Sequence, residues 1–185
     1  SSRRRHTRFK CDWSSDVCSS DLNKGIYLDE DLTHPHPSDF CIGVAGYPEK
    51  HFAAPNLQSD LKYLKNKVDQ GAEYIVTQMF FDNKKYFDFV KTCREMGIRV
   101  PIIPGIKPIT TKTQVSVLPT IFHIDLPEAL TEAVEKCKDN VQAKQIGIEW
   151  TIQQCRELIG FGVPTLHFYS MGKSDPIYQI AKELF

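Results

Sequence analysis

DQGAEYIVTQMFF, residues 69–81, carries three signals in one short stretch: the polar end of a helical pattern, a glycine, and an apolar run that holds Thr77 and Gln78. The run YIVTQMFF (74–81) is nearly continuous in apolar residues, the pattern of a parallel strand covered on both faces rather than of an alternating hairpin strand. Gly71 stands where a helix would end on a left-handed residue before a short loop into a strand.

The same order recurs along the chain. Gly97 precedes VPIIPGI (100–106), Gly162 precedes TLHFYS (165–170), and another strand pattern, FCIGVAGY (40–47), lies upstream. Between the strands, Leu57, Leu61, Leu64 and Val68 form one helical stripe, Phe87, Val90, Cys93 and Met96 a second, and Ile148, Ile152, Cys155 and Ile159 a third, each expected to face the core. A longer gap from Ile106 to Thr165 holds extra helices around ALTEAVEKC (129–137). Repeated helix, glycine and strand predict an α/β fold with crossovers of one hand. No GxGxxG or nucleotide-loop glycine cluster accompanies them, which favours a TIM (β/α)8 barrel over a doubly wound sheet. Eight units need roughly 250 residues, so the four strands of residues 23–185 predict about half a barrel.

Composition narrows the function without naming it. The 185 residues are 41% hydrophobic and 25% charged, with formal net charge zero, which is ordinary for a soluble globular chain. Five basic and three acidic side chains fall in residues 1–22, leaving 18 basic and 20 acidic in the body. A mildly acidic body offers no general field for nucleic acid, and the cluster RRRHTR (3–8) has no aromatic stacking surface beside it. No run of 18 apolar residues and no signal-peptide apolar stretch is present, so no membrane partner is expected and the cytoplasm is the default location. Cys41, Cys93, Cys137 and Cys155 are scattered singly among apolar positions, without CxxC or histidine spacing, and are expected to be buried hydrophobes rather than metal ligands.

In a barrel, chemistry sits at the C-terminal ends of the strands. There the sequence turns polar four times: Tyr47, Glu49 and His51 after the first strand, Thr77 and Gln78 in the second, Pro104 and Gly105 in the third, then Tyr169, Gly172 and Lys173. Singly, each has an ordinary structural reading, since a strand Gln can satisfy backbone groups and a Tyr can bury its ring. On pattern alone Asp60 and Lys67, seven residues apart on one helical face, read as a solvated pair. His167 reads as a satisfied core histidine that could face the barrel interior with Tyr169.

Taken together, GVAGYPEKH (43–51), DLKYLKNKVDQGAEYIVTQMFFD (60–82), VPIIPGIKPIT (100–110) and LHFYSMGKSD (166–175) resemble the C-terminal half of methylenetetrahydrofolate reductase, of the bacterial type that is a catalytic barrel only. The resemblance covers Asn23 to Phe185 and implies a flavoenzyme: FAD, reduced by NADH or NADPH, delivers hydride to 5,10-methylenetetrahydrofolate to give 5-methyltetrahydrofolate. It implies FAD contacts at Tyr47, His51, Ala54, Asp60 and Lys67, the lysine near the pyrophosphate as a point cation. Gln78 matches a glutamine that contacts folate and nicotinamide, Tyr169 a substrate-contacting tyrosine, and Lys173 a position where many relatives carry arginine for the folate glutamate tail. Two departures stand out: Gly172-Lys173 in place of Asn-Arg, and Phe52-Ala53 in place of Pro-Glu.

The resemblance also implies that the general acid, a glutamate, and a flavin-tuning aspartate belong to strands upstream of Asn23, so no catalytic residue is assigned here. The chain alone is accordingly expected to be colourless and inactive, although the parent protein would be a homo-oligomeric reductase. A non-catalytic half barrel that self-associates through its open edges is the alternative. Residues 1–22, SSRRRHTRFKCDWSSDVCSSDL, follow no structural period and are expected to be a disordered, non-native leader; DWSSDVCSSDL resembles a translated sequencing adapter.

Overall fold

The computed structural model describes residues 23–25 and 36–185. The leader, residues 1–22, lies outside the described residues. The elements are β1 (Gly43–Gly46), α1 (Leu57–Asp69), β2 (Tyr74–Met79), α2 (Asn83–Glu95), β3 (Ile102–Ile106), α3 (Gln114–Phe122), α4 (Glu128–Glu135), α5 (Asn140–Phe161), β4 (His167–Phe168) and α6 (Asp175–Leu184).

The four strands form one sheet in the order β1-β2-β3-β4. Every pairing is parallel, with Val44 beside Ile75, Ile75 beside Ile102, and Ile106 beside Phe168. Parallel neighbours require crossovers, and helices supply all three. The architecture is therefore α/β, as the sequence rhythm indicates. Gly71, Gly97 and Gly162 all adopt positive φ, +112°, +82° and +91°, so the glycines end the helices as expected. At the other helix ends Asn56 accepts from Ser59 N (2.9 Å), Asp82 from Lys84 N (2.9 Å), and Asp139 from Val141 N and Gln142 N (3.0 Å each), standard N-caps that fix where each helix begins.

Two apolar clusters divide the interior. The larger joins one face of the sheet (Val44, Ile75, Ile102, Ile106) to Leu61 and Leu64 of α1, Tyr86, Phe89 and Cys93 of α2, and Cys155 and Leu158 of α5. The smaller lies beyond the strand ends and gathers Met79, Phe81, Ile109, Leu118, Leu130, Val134 and Ala143. Polar bonds fasten α5 across the end of β2: Gln154 Nε2 donates to Phe80 O at 2.9 Å, Trp150 Nε1 to Phe81 O at 3.2 Å, and Asn83 Nδ2 to Gln154 O at 3.0 Å. Among the described residues no helix is long and apolar enough to cross a membrane.

Several expectations need correction. The strands are shorter than their apolar runs, and β1 and β2 alternate in burial instead of being covered on both faces; among the described residues the helices pack on the Val44–Ile75–Ile102 face. The buried stripe of α2 is Tyr86, Phe89 and Cys93, one residue out of phase with Phe87, Val90 and Met96, which are partly buried. The Tyr86 hydroxyl donates to Ile102 O at 2.6 Å, so the ring can lie in the core with its polar tip satisfied. Leu57 and Ile159 are exposed at the ends of their stripes. Cys93, Cys137 and Cys155 are buried free thiols but Cys41 is exposed. Burial pushes both Cys93 and Cys155 up to about 12, which leaves them protonated and inert at neutral pH.

Candidate functional site

After Gly46 the chain folds back on α1. Lys50 N bonds Tyr47 O (3.1 Å) with Lys50 at φ +87°, a conformation that non-glycine residues seldom adopt. The loop is clamped from both sides: His51 N donates to Asp60 Oδ2 at 2.8 Å, Ala54 N to His51 O at 3.0 Å, and Lys50 Nζ to Ala54 O at 2.7 Å. Asp60 sits in the first turn of α1, where a carboxylate also suits the helix dipole. It is only 9% exposed, so Asp60 and Lys67 are not a solvated surface pair. Tyr47 and His51 meet edge to face with ring centroids 4.6 Å apart. Together with Asp60, Tyr63 and Lys67 they line a cleft of about 40 Å³. Ala54 is buried and does not line that cleft. Burial lowers the His51 pKa below its ordinary 6.5, Asp60 opposes this, and Lys67 and Lys50 add to it; the ring is neutral at physiological pH.

Glu49 anchors the loop outward. Lys85 of α2 bridges Glu49 (3.0 Å) and Asp125 (2.5 Å), and Asp125 N donates to Glu49 Oε2 at 2.7 Å. Burial raises the Glu49 pKa, with the Asp125 amide and Lys85 pulling the other way.

A second group forms at the ends of β2, β3 and β4. The Tyr169 hydroxyl donates to Thr77 O at 2.8 Å, and Thr77 Oγ1 accepts from Gly105 N at 2.9 Å. Gly105 is required here, because a Cβ would stand 2.2 Å from Thr77 O and 2.6 Å from the Tyr169 ring. Three strands are thus tied at one point, and the tie fixes the Tyr169 ring. Gln78 Oε1 accepts from Met79 N at 2.9 Å, which assigns the amide and leaves its NH2 without a hydrogen bond among the described residues. His167 is exposed, edge-on to Tyr169 at 4.8 Å, and so is not the core histidine the sequence suggested. Burial raises the Tyr169 pKa and the Tyr47 phenol adds to the effect, placing the two groups within electrostatic reach. Lys173 is exposed at the rim, just after Gly172 at φ +78°.

The structure thus collects Tyr47, His51, Asp60 and Lys67 in one cleft and sets Gln78, Tyr169 and Lys173 at the neighbouring strand ends. Sequence reasoning missed Lys107. It follows β3 directly, is 6% exposed, and shares with Lys173 a cavity of about 300 Å³. Its signal was available, since a lysine immediately after IIPGI occupies the same strand-end position as the residues that were singled out. Among the described residues no group of three His, Cys, Asp or Glu could hold a metal ion.

A parallel sheet with helical crossovers and polar groups converging at the strand ends defines an α/β enzyme-type scaffold. Comparison with known proteins makes the family specific. The family model described as Methylenetetrahydrofolate reductase matches residues 26–185. Relatives include "Probable methylenetetrahydrofolate reductase (NADPH)" of Caenorhabditis elegans, 39% identical over 78% of this chain and 22% of its own length. "Methylenetetrahydrofolate reductase (NADH) 1" of Arabidopsis thaliana is 42% identical over 71% of this chain and 24% of its own. "5,10-methylenetetrahydrofolate reductase" of Buchnera aphidicola is 36% identical over 77% of this chain and 49% of its own. The chain belongs to the methylenetetrahydrofolate reductase family, and it spans about half the length of the Buchnera relative and about a quarter of the other two. A solved structure shares the fold at TM-score 0.57 and 20% identity, covering 78% of this chain and 52% of that one. It is an uncharacterised Clostridium thermocellum protein described as binding two copies of 5-methyl-5,6,7,8-tetrahydrofolic acid.

Proposed function

We propose that this chain serves the reduction of 5,10-methylenetetrahydrofolate to 5-methyltetrahydrofolate, with FAD as cofactor and NADH or NADPH as electron source, in a cytoplasmic protein whose sheet is part of a (β/α)8 barrel. The observation that carries this reading is the placing of Gln78 and Tyr169 at the ends of β2 and β4, with Tyr169 within electrostatic reach of Tyr47 in the cleft and Lys173 in the turn that follows. The names of the relatives agree with it.

The residues present fit one end of the cofactor. The cleft has room for a few water-sized groups and a lysine in its wall, which suits phosphate oxygens rather than a ring system. Bound FAD would supply hydride transfer between nicotinamide and folate. Lys67 would neutralise the pyrophosphate, and Asp60, by holding the His51 amide, keeps the Tyr47–His51 rings in place beside it. Gln78 offers its NH2 to a ligand while its oxygen stays on the backbone. Tyr169 is held by Thr77 and presents its ring as a wall.

Among the described residues that line the two cavities, no carboxylate is free for proton transfer. Asp60 is the one carboxylate lining either cavity among the described residues, and it is committed to the His51 amide. Without an acid the chain loses a contribution of about 10²–10⁴-fold, so it is expected to hold folate without turning it over. Equilibrium dialysis with 5-methyltetrahydrofolate tests this: stoichiometric retention that Gln78→Ala weakens is expected. No retention by the intact chain, or retention indifferent to Gln78, overturns the reading. Incubation with FAD, NADH and 5,10-methylenetetrahydrofolate should yield no 5-methyl product, and steady turnover would contradict the acid assignment.

A second reading, a self-associating and non-catalytic half barrel, is favoured by β1 and β4 standing at the edges of the sheet among the described residues. Sedimentation separates the two, because a monomer in solution removes the second.

A further inference from the structure

Lys107 stands out in its surroundings. Its side chain is 6% exposed, yet it makes no hydrogen bond or ion pair among the described residues, and the charged group that acts on it is another cation, Lys173. Most of the residue is covered, but its ammonium is not among the fully buried atoms left without a partner, so the charge reaches the cavity, where a cation without a counter-ion is unusual. Here burial first, and Lys173 second, pull the Lys107 pKa below its ordinary value.

The cavity that Lys107 and Lys173 share holds no carboxylate. Its other polar groups lean the same way. The Gln114 side-chain oxygen is consumed by Thr110 N (2.6 Å) and Thr111 N (3.2 Å), so the NH2 is what remains to offer. The rest of the lining is largely apolar, and Val117 and Ile121 of α3 and Met171 are exposed at 42%, 60% and 69%. At about 300 Å³ it accepts a small aromatic body, within the range of ordinary ligand sites. Two cations and an amide donor in an otherwise largely apolar lining suit an amphipathic anion.

We propose that Lys107 is a second anchoring cation beside Lys173, so that this pocket takes an aromatic amide ending in two carboxylates and selects it over the singly charged analogue. The proposal rests on the folate reading above, since the p-aminobenzoylglutamate end of folate has this chemistry, but it concerns a residue that reading does not use. Lys173 at the rim meets one carboxylate and Lys107, deeper, meets the other. Each is an ammonium point charge rather than a planar fork, so two are needed where one bidentate donor would hold a single carboxylate.

The test is a calorimetric titration of the 185-residue chain with p-aminobenzoyl-L-glutamate and, separately, p-aminobenzoylglycine, which lacks the second carboxylate. The wild-type chain is expected to bind the dicarboxylate about tenfold more tightly. Lys107→Met should abolish that preference while leaving the affinity for the glycine analogue within about twofold, and Lys107→Arg should keep it. Far-UV circular dichroism and thermal midpoint report folding, and Lys107→Met is expected to melt no lower than wild type. A preference that survives Lys107→Met, or none in the wild type, overturns the proposal. Displacement by 5-methyltetrahydrofolate separates the two readings. If 5-methyltetrahydrofolate is retained but no dicarboxylate preference exists, Lys107 has no such role and the folate reading stands. If the Lys107-dependent preference holds but 5-methyltetrahydrofolate does not compete, the anion pocket stands and the folate reading falls. If the chain binds neither p-aminobenzoyl ligand, the proposal is refuted.

Discussion

The cleft between β1 and α1 and the pocket beyond β3 and β4 lie at the same end of one sheet, yet they treat charge in opposite ways. In the first, Asp60 accepts the His51 amide and Lys50 donates to Ala54 O, so most polar groups are spent on holding a loop in place. In the second, Lys107 is buried beside Lys173 with no acid in the lining. One region is already satisfied by its own chain, and the other requires something from outside. The difference separates positioning from binding: removing charge should loosen the first region and tighten the second in the absence of ligand.

The tie between the two regions gives the largest expected effect. Gly105→Ala places a Cβ against Thr77 O and the Tyr169 ring and should cost about 3 kcal/mol by urea denaturation, because backbone cannot give way as a flexible side chain can. A loss below about 1 kcal/mol would show that β2, β3 and β4 are less tightly tied than the hydrogen bonds of Thr77 indicate.

Next comes the loop clamp. Asp60→Ala leaves the His51 amide without its charged acceptor and should lower stability by roughly 2 kcal/mol. Lys107→Met should move the other way, leaving the ligand-free chain at least as stable as wild type, since a mostly covered lysine near another cation is replaced by an apolar chain of similar length. If both changes destabilise equally, the contrast between the two regions fails.

The smallest effect is in pH. The folded chain keeps His51 neutral below its ordinary 6.5, so the unfolded chain binds a proton that the folded one refuses. Stability from this group is complete above about pH 6.5 and is lost as the pH falls through the lowered folded value. His51→Asn should flatten that part of the stability profile, while an unchanged profile would show that His51 is not the group responsible.

The sequence made the repeating unit legible because glycine and apolar run are local signals: Gly71, Gly97 and Gly162 each end a helix in the structure. It also made the strand ends legible, since Gln78 and Tyr169 interrupt or follow apolar runs. What it hid depended on distant partners. Asp60 shares a helical face with Lys67, but nothing in that spacing shows the 47–54 loop folding back to use the carboxylate. The place of Lys107 after IIPGI marks it as a strand-end residue, but its burial does not follow from that place, because α3 and the 170–173 turn that share its cavity are brought close by the crossover. Tyr86 is hidden from the apolar pattern because a hydroxyl looks like a surface group until Ile102 O is found to accept from it.

On the proposed function, folate is held at the ends of β2, β3 and β4 and not in the β1–α1 cleft. Titration of isotope-labelled chain with 5-methyltetrahydrofolate, followed by amide chemical shifts, tests it directly. Shifts are expected at Gln78, Lys107, Gln114 and residues 170–173, with Asp60 to Lys67 unmoved; shifts confined to His51, Asp60 and Lys67, or none anywhere, would contradict it.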